Sequence, residues 1–291
     1  MTERYIATPR RTKEILETYN FAFKKSLGQN FLIDLNILEQ IVDYAEIDAS
    51  VGVIEVGPGI GSLTEQIALR AKKVVAYEID QRLLPILNDT LATYSNIEVV
   101  NKDILDVSLE EDINTYLSDC SRIHLVANLP YYVTTPILMH VLQTSPSIDH
   151  ITVMLQKEVA ERMQAKPNSK TYGSLSIAVQ YYTKPKIVMD VPKTVFIPQP
   201  NVTSSVLTLR RLTKPPVRVK DESFFFEVVQ ASFAHRRKTI RNNLIAHFKN
   251  KLDRDEILTA LKEAEITPDS RAESLTIEQF AHLTTALEGF N

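Results

Sequence analysis

Three glycines at alternate positions follow a short apolar run between Val53 and Gly61. The run Val-Ile-Glu-Val has the length and composition of a buried strand. Gly57, Gly59 and Gly61 then allow a sharp turn, because glycine tolerates a positive φ and adds no side chain there. The stretch therefore predicts a strand, a tight turn and a helix, with the backbone of the turn open to a nucleotide-type ligand.

Four polar residues stand at the ends of successive apolar runs, at intervals of 23, 25 and 25 residues: Glu55, Glu78, Asp103 and Asn128. Each interval has room for one strand, one helix and two turns. Parallel strands would therefore bring the four groups to one carboxyl edge of a sheet. Glu78 occupies the place, about 20 residues beyond the glycines, where an acidic residue binds the hydroxyls of a ribose.

Two ligands compete for such an edge, a dinucleotide and S-adenosylmethionine. Dinucleotide sites usually have the spacing G-x-G-x-x-G/A. The glycines here run G-x-G-x-G, and Ser62 stands where the last small residue of a dinucleotide site is expected. The spacing favours S-adenosylmethionine modestly and leaves both ligands open.

The chain has 291 residues, of which 44% are hydrophobic, so we expect one large domain and a smaller one. The net charge of −3 argues against a generally basic nucleic-acid-binding protein. The charge is uneven, however, since residues 210–251 contain eleven Lys or Arg and three Asp or Glu. A local basic stretch creates its own field within a Debye length.

Cys120 is the only cysteine, which excludes an intramolecular disulfide and a thiolate metal cluster. The six histidines are scattered singly, and His124 is expected to be a hydrogen-bonded core residue. The N-terminus has no apolar signal region, and no stretch approaches the ~18 apolar residues of a membrane span. We expect a soluble, cytoplasmic, monomeric protein without a metal.

Strand and helix patterns alternate to about residue 156, which is typical of a doubly wound parallel sheet. Two later strands, at 186–191 and 204–211, bring the predicted total to seven. The fold class is therefore α/β, with a Rossmann-like, mostly parallel sheet.

Lys214-Pro215-Pro216 marks a boundary, because paired prolines continue neither a helix nor a strand. The pattern beyond it is helical. We therefore predict a large domain at residues 1–213 and a small all-helical domain at 214–291. Residues 1–25 are polar and basic, and are expected to be either a solvated tail or an arm that orders on RNA.

The sequence Asn128-Leu129-Pro130-Tyr131 ends the fourth predicted strand, on the same sheet edge as the glycines. This arrangement resembles the N6-adenine methyltransferases, whose motif there is Asn or Asp, a variable residue, Pro and an aromatic residue. An adenine amine is a poor nucleophile, because its lone pair is delocalised into the ring. The Asn128 side-chain oxygen and the Leu129 or Pro130 carbonyl can favour its pyramidal form by accepting its N–H groups.

A base within RNA must be unstacked to reach such a site, and it then needs aromatic surfaces. Tyr131 is predicted to supply one face. Phe196, in the Pro-rich link before the last strand, is the candidate for the other, with ordinary packing as an equal alternative.

A wider set of motifs carries a closer resemblance, at residues 28–32, 55–61, 78–80, 128–131, 196–200 and 235–238. Together they resemble the bacterial small-subunit ribosomal RNA adenine dimethyltransferases of the KsgA/RsmA family, over residues 8–287. Several motifs are shared with the Erm methyltransferases and with mitochondrial transcription factors of the same superfamily.

The resemblance implies that the predicted sheet is of the class I methyltransferase kind. It also implies dimethylation, from S-adenosylmethionine, of two adjacent adenosines in a 3′-terminal hairpin of small-subunit rRNA during ribosome assembly. It implies that Asn30 and Leu32 cover the methionine part of the cofactor, that Glu78 binds the ribose and that Asp103 binds the adenine amine. The cofactor-binding residues that it implies are Asn30, Leu32, Gly57, Gly59, Gly61, Glu78, Ile79, Asp103, Ile104 and Asn128.

Basic residues interrupt an apolar helical stripe after Phe233. Either the helix breaks at His235, or the arginines line a groove between the two domains through which a base enters. A solvated charge run is the alternative. The predicted RNA contacts are Arg236, Arg237, Lys238 and Arg241, together with Lys24 and Lys25.

Three other functions compete with this hypothesis. An Erm-type enzyme would act on large-subunit rRNA, and a non-catalytic assembly factor would keep the fold without the reaction. The intact motif at Asn128 and Tyr131 argues against the second of these. An NAD-dependent oxidoreductase is disfavoured by the glycine spacing.

Overall fold

The computed structural model describes residues 5–24 and 27–290. The strands are β1 (Phe31–Leu32), β2 (Val51–Val56), β3 (Lys73–Tyr77), β4 (Ile97–Val100), β5 (Arg122–Asn128), β6 (Ile148–Gln156), β7 (Thr183–Val191), β8 (Phe196–Ile197) and β9 (Ser204–Arg211). The first six helices are α1 (Pro9–Thr18), α2 (Leu35–Tyr44), α3 (Ser62–Ala68), α4 (Leu84–Thr90), α5 (Leu109–Tyr116) and α6 (Thr134–Thr144). The later helices are α7 (Lys157–Gln164), α8 (Ser174–Tyr182), α9 (Glu222–Phe233), α10 (Ile240–Phe248), α11 (Arg254–Glu263) and α12 (Ile277–Glu288).

Seven strands form one sheet in the order β4-β3-β2-β5-β6-β9-β7. Strands β2 to β6 pair in parallel, and β9 is antiparallel to β6. The predicted seven-stranded, mostly parallel, Rossmann-like sheet is therefore confirmed. The strand order reverses between β2 and β5, and such a switch point opens a crevice at the carboxyl ends of the two strands.

The central strand β2 is buried along its whole length, as expected for a parallel strand covered on both faces. Helix α2 begins at the N-cap Asp34, whose side chain accepts the Ile37 N–H, and it buries Leu38 and Ile41 in the core beside β2. His124 lies within β5, where its Nδ1 is 2.9 Å from the Ala45 carbonyl oxygen. The prediction that His124 is a hydrogen-bonded core residue is confirmed.

The described part of the N-terminal segment is folded and is not the solvated tail that was one of its two predicted forms. Helix α1 packs Ile15 into a core that also contains Ile6, and the Ile6 N–H donates to the buried Glu65 carboxylate at 3.0 Å. The solvated tail is therefore wrong for residues 5–18, because these apolar groups bury more favourably than they hydrate. Contact with RNA stays a prediction, and Lys25 lies outside the described residues.

A short second sheet, which the sequence pattern does not predict, joins two distant segments. Strand β1 pairs antiparallel with β8, so that Phe31 lies opposite Ile197 and Leu32 opposite Phe196. The pairing ties the Pro-rich link to the segment that precedes α2. It also places the Phe196 side chain in the core beside Leu32.

The chain forms two compact units. One contains residues up to 160 and 185–211, and the other contains residues 161–184 and those from 212 onward. The second unit has its own apolar core, in which Tyr172, Ile177 and Tyr181 pack with Phe225 and Phe280. The predicted division into residues 1–213 and 214–291 is thus wrong for 161–184, because that segment contributes apolar groups to the core of the C-terminal helices.

Candidate active site

A pocket of about 170 Å³ opens at the carboxyl ends of the parallel strands. All four polar residues singled out by their spacing line it: Glu55, Glu78, Asp103 and Asn128. The walls also include residues 27–32 and, from the glycine turn, Gly57 and Gly59 but not Gly61. The intervals in the sequence thus predict correctly which side chains meet at the sheet edge.

The three glycines of the turn have φ values of 69°, 62° and 94°, all in the left-handed region. A Cβ added at Gly59 would lie 2.9 Å from Phe31, and one at Gly61 would lie 3.0 Å from Leu91. Added at Gly57, it would meet nothing within 4 Å. Gly59 and Gly61 therefore serve close packing, while Gly57 leaves a backbone cradle open in the pocket wall.

Glu78 directly follows β3 and is buried, with both carboxylate oxygens held by the backbone. Its Oε1 accepts the Asp80 N–H at 2.8 Å, and its Oε2 accepts the Gly59 N–H at 3.3 Å. Burial raises the pKa of Glu78 to about 7, despite these two hydrogen bonds. The carboxylate is fixed beside the glycine turn, where ribose hydroxyls can donate to it.

Glu55 is buried within β2, and its Oε2 has no hydrogen-bond partner among the described residues. The pKa of Glu55 is raised to about 8, mainly by burial and also by the Glu78 carboxylate, while a hydrogen bond from the Thr64 side chain opposes the rise. The hydroxyl of Ser62, another residue of the pocket wall, is also buried without a partner in the described part of the chain. Buried polar atoms without partners in a pocket wall are the ones that a polar or cationic ligand satisfies.

Asp103, Ile79 and Ile104 form another part of the pocket wall. The Oδ1 of Asp103 accepts the Leu105 N–H at 3.0 Å. Ile104 is buried, whereas Ile79 is half exposed, with 51% of its surface accessible. Two apolar side chains beside one carboxylate fit an adenine ring with an exocyclic amine.

Asn128 is the last residue of β5, and its Nδ2 donates to the Asn30 carbonyl at 3.1 Å. A carbonyl only accepts, so the amide nitrogen must face Asn30, and Oδ1 is left as an acceptor. The Pro130 carbonyl accepts the Val133 N–H and the Thr134 hydroxyl. No described residue donates to the Leu129 carbonyl. Of the two carbonyls that the sequence analysis left open, Leu129 and Pro130, the Leu129 carbonyl is therefore the one available as a second acceptor.

Of the two aromatic residues predicted at the site, the structure places Tyr131 in the pocket wall and Phe196 elsewhere. Tyr131 lines the pocket, and its hydroxyl lies 2.6 Å from the Ser204 hydroxyl. Phe196 is only 1% exposed in the core beside Leu32, so the prediction that its ring stacks on a base is wrong for this structure. Its pairing partner in the short sheet holds it there.

Tyr132 is the residue that the sequence analysis missed. Its ring lines the same pocket and is 58% exposed, and it packs on Gly28, where an added Cβ would be 3.3 Å away. The doubled tyrosine in the motif is its only signal in the sequence. A large exposed ring at a pocket wall offers a stacking surface.

None of the predicted RNA contacts that the structure describes lines the pocket. Helix α9 ends at Phe233, so the helix breaks before the basic residues. Arg236 pairs with Glu273 and donates to the Lys170 carbonyl, and Arg241 pairs with Asp269 at 3.0 Å. Within the described chain, Arg237, Lys238 and Lys24 are exposed and form no ion pair.

A metal site and a membrane-spanning helix were both sought among residues 5–24 and 27–290. No group of His, Cys, Asp and Glu side chains there is arranged to hold a metal ion. None of their helices combines the length and the apolar character needed to span a bilayer.

S-adenosylmethionine fits this pocket better than a dinucleotide does. The open cradle at Gly57 admits a ligand, Glu78 suits ribose hydroxyls, and the unpartnered Oε2 of Glu55 suits a polar or cationic group of a ligand. The fold and the pocket together define the class of S-adenosylmethionine-dependent methyltransferases.

Comparisons with known proteins agree with this class. The ribosomal RNA adenine dimethylase family matches residues 20–288. Ribosomal RNA small subunit methyltransferase A of Geobacillus sp. (strain WCH70) is 59% identical over 284 residues, covering 97% of this chain and 98% of that protein. The protein of the same name from Bacillus licheniformis is 58% identical, with 97% of each chain covered.

Two solved structures share the fold. The 23S rRNA methyltransferase ErmE has a TM-score of 0.65 and 27% identity, covering 89% of this chain and 99% of its own. A dimethyladenosine transferase from Plasmodium falciparum has a TM-score of 0.73 and 23% identity, covering 87% and 95%.

The chain belongs to the ribosomal RNA adenine dimethylase family. It is an S-adenosylmethionine-dependent enzyme, and the choice of this cofactor over a dinucleotide is confirmed.

Proposed function

We propose that this enzyme methylates the N6 amines of two adjacent adenosines in a 3′-terminal hairpin of small-subunit rRNA, each of them twice. Two acceptors at the end of β5, the Asn128 side-chain oxygen and the Leu129 carbonyl, carry the proposal. They match the two N–H groups of an adenine amine. The substrate is the rRNA of an immature small subunit, and the enzyme acts as a monomer in the cytoplasm.

The choice of small-subunit rRNA is supported by the relatives. The curated relatives that are 56–59% identical over nearly the whole chain are named for the small subunit. ErmE, which is named for 23S rRNA, is 27% identical. An Erm-type activity is therefore the weaker alternative.

Bound S-adenosylmethionine supplies an electrophilic methyl group on a sulfonium. Asn128 and the Leu129 carbonyl accept the N–H groups of the adenine amine and favour its pyramidal form, in which the lone pair is free. The Asn30 carbonyl holds the Asn128 amide in one orientation, so this acceptor is preorganised. An amide is no base, and none is required, because the methylated cationic amine is acidic enough to lose its proton to water.

Two tyrosines receive the unstacked base. Tyr131 lines the pocket next to the acceptors, and its hydroxyl is restrained by Ser204. We assign the second aromatic surface to Tyr132 in place of Phe196, because the Tyr132 ring is exposed at the pocket wall. Stacking on an aromatic ring offsets part of the cost of unstacking a base.

Free basic side chains hold the RNA backbone. Arg237, Lys238 and Lys24 are exposed and without ion pairs in the described residues, so each has a charge available for a phosphate. Arg236 and Arg241 are neutralised by carboxylates of their own unit and contribute less. Lys25 remains a predicted contact.

The test combines mapping with one substitution. Immature small subunits and, separately, large subunits are incubated with labelled S-adenosylmethionine, and the labelled nucleotides are mapped. We expect label at adjacent adenosines of the small subunit. Label in the large subunit would indicate Erm-type activity, and no label in either would indicate a non-catalytic assembly factor.

Asn128→Ala separates catalysis from binding. We expect methyl transfer to fall by about two to three orders of magnitude, the cost of losing one preorganised hydrogen-bonding group. RNA affinity, measured by filter binding, should hardly change. Asn242→Ala, at an exposed position of α10, is the control. A folded Asn128→Ala enzyme that loses activity and RNA affinity together would make Asn128 a structural strand-end residue.

A further inference from the structure

Arg82 lies outside the pocket wall and connects it to the N-terminal segment. Its Nε and Nη2 hold both carboxylate oxygens of Asp80, at 2.9 and 2.6 Å. Its Nη1 donates to the Ala22 carbonyl at 2.8 Å, and its guanidinium lies 4.9 Å from the centre of the Phe21 ring. Arg82 thus uses its whole planar fork, which a lysine cannot reproduce.

Asp80 is the centre of this network. The Arg82 guanidinium holds the pKa of the buried Asp80 carboxyl below its usual range. Asp80 also accepts the Gln29 side-chain amide at 2.7 Å, and Gln29 accepts the Lys24 N–H at 3.0 Å. On its other side, the Asp80 N–H donates to Glu78, the residue placed at the ribose. One buried carboxylate therefore links residues before the pocket to the pocket carboxylate itself.

The segment held by this network forms part of the pocket. Residues 27–32 line it, and the rings of Phe21 and Phe23 pack on Phe31 with centres 5.9 and 5.5 Å away. Phe31 in turn fills the space against Gly59 in the glycine turn. The position of this segment therefore decides how closely the pocket wall surrounds a ligand.

We propose that Arg82 is a positioning residue for the cofactor: through Asp80 and Gln29 it fastens residues 21–24 and 27–31 against the pocket and thereby slows cofactor release. The inference rests on S-adenosylmethionine binding in this pocket. Arg82 itself touches neither the reacting atoms nor the pocket interior. Its contribution is to the lifetime of the complex and not to the methyl-transfer step.

The test uses Arg82→Met, which keeps much of the apolar stem but removes every donor. We expect the Kd for S-adenosylhomocysteine, measured by calorimetry, to rise about tenfold, the effect of one charge-assisted hydrogen bond. The KM for S-adenosylmethionine should rise in proportion while kcat at saturation stays constant. Trypsin should cleave after Lys24 faster, and Arg82→Lys should recover only part of both effects.

Two further variants sharpen the test. Arg70→Met is the matched control, because Arg70 pairs with Asp43 and has a side chain 38% exposed against 35% for Arg82. It should leave affinity and cleavage unchanged. Gln29→Leu removes the other arm of the network, and the double variant with Arg82→Met should lose little more affinity than either single one, because both converge on Asp80.

Distinct results would overturn the inference. If Arg82→Met binds S-adenosylhomocysteine more weakly but is cleaved after Lys24 at the wild-type rate, Arg82 acts through Glu78 alone and does not fasten the segment. If Arg82→Met binds S-adenosylhomocysteine as tightly as the wild type, Arg82 is not a positioning residue. If Arg82→Met does not fold, Gln29→Leu gives the same comparison. Wild-type protein that failed to bind S-adenosylhomocysteine would contradict the cofactor assignment and not the role of Arg82.

Discussion

Replacing Glu55 with glutamine should change how the stability of the ligand-free protein depends on pH. The pKa of Glu55 is raised from 4.5 to about 8 in the folded state, mainly by burial and also by the Glu78 carboxylate. The folded state therefore holds this proton more tightly than the unfolded chain does. Its contribution to stability is fully present below about pH 4.5 and is lost as the pH rises through about 8.

The size of the effect follows from the two pKa values. Each unit of difference between the folded and unfolded pKa values corresponds to about 1.4 kcal/mol of stability. Since these values are about 8 and 4.5, most of the stability change occurs between pH 5 and pH 8. Wild-type protein should therefore lose on the order of 3 kcal/mol over that range through Glu55 alone. The glutamine side chain of the Glu55→Gln variant does not titrate. The variant should match the wild type within about 1 kcal/mol near pH 5 and be the more stable protein near pH 8.

Urea unfolding at a series of pH values measures this difference directly. The quantity to plot is the free energy of unfolding of Glu55→Gln minus that of the wild type, which should rise with pH. Glu98→Gln, at an exposed position of the neighbouring part of the sheet, controls for the loss of a carboxylate in contact with solvent. A difference for Glu55→Gln that stays flat from pH 5 to pH 8 would refute the reasoning.

Three further outcomes are expected. Glu78→Ala should weaken S-adenosylmethionine binding by about 1.5–3 kcal/mol, the value of charge-assisted hydrogen bonds, and unchanged affinity in calorimetry would move the ribose to another residue. Tyr132→Ala should weaken binding of the rRNA substrate by about 1–3 kcal/mol in filter binding, whereas Tyr132→Phe should keep the stacking surface and the affinity. Arg237→Gln with Lys238→Gln should reduce the slope of log K against log salt by about 1.5 while leaving cofactor affinity intact, and an unaltered slope would assign the pair to the protein's own surface.

The sheet and its polar edge could be predicted because a parallel sheet converts intervals in sequence into neighbours in space. The 23- and 25-residue intervals from Glu55 to Asn128 each contain one crossover, so the strand ends meet whatever the loops contain. The bounds of β9 agree with the strand predicted at 204–211, because the period of a strand is a local property of the sequence.

The predictions that were wrong or missing concern residues whose positions depend on long-range contacts, which leave no periodic pattern in the sequence. Phe196 is buried because β8 pairs with β1, where it lies opposite Leu32, 164 positions earlier in the sequence. Strands of two residues are too short to leave a recognisable pattern in a sequence. Tyr132 lies at the pocket wall with its ring against Gly28, and this contact joins two segments that are distant in the sequence. Residues 161–184 pack with the C-terminal helices through apolar side chains that would suit the core of either unit.

Glu55 and Glu78 also explain why a pocket can be costly to the ligand-free fold and useful to the enzyme. Burial raises the pKa of Glu55 to about 8 and that of Glu78 to about 7, which means that the folded protein stabilises their charged forms poorly. A bound ligand that donates hydrogen bonds to these carboxyl groups, or carries positive charge beside them, would offset part of that cost. The same two carboxyl groups therefore destabilise the ligand-free protein as the pH rises. Stability at this edge of the sheet is lower because the pocket keeps buried carboxyl groups available to a ligand.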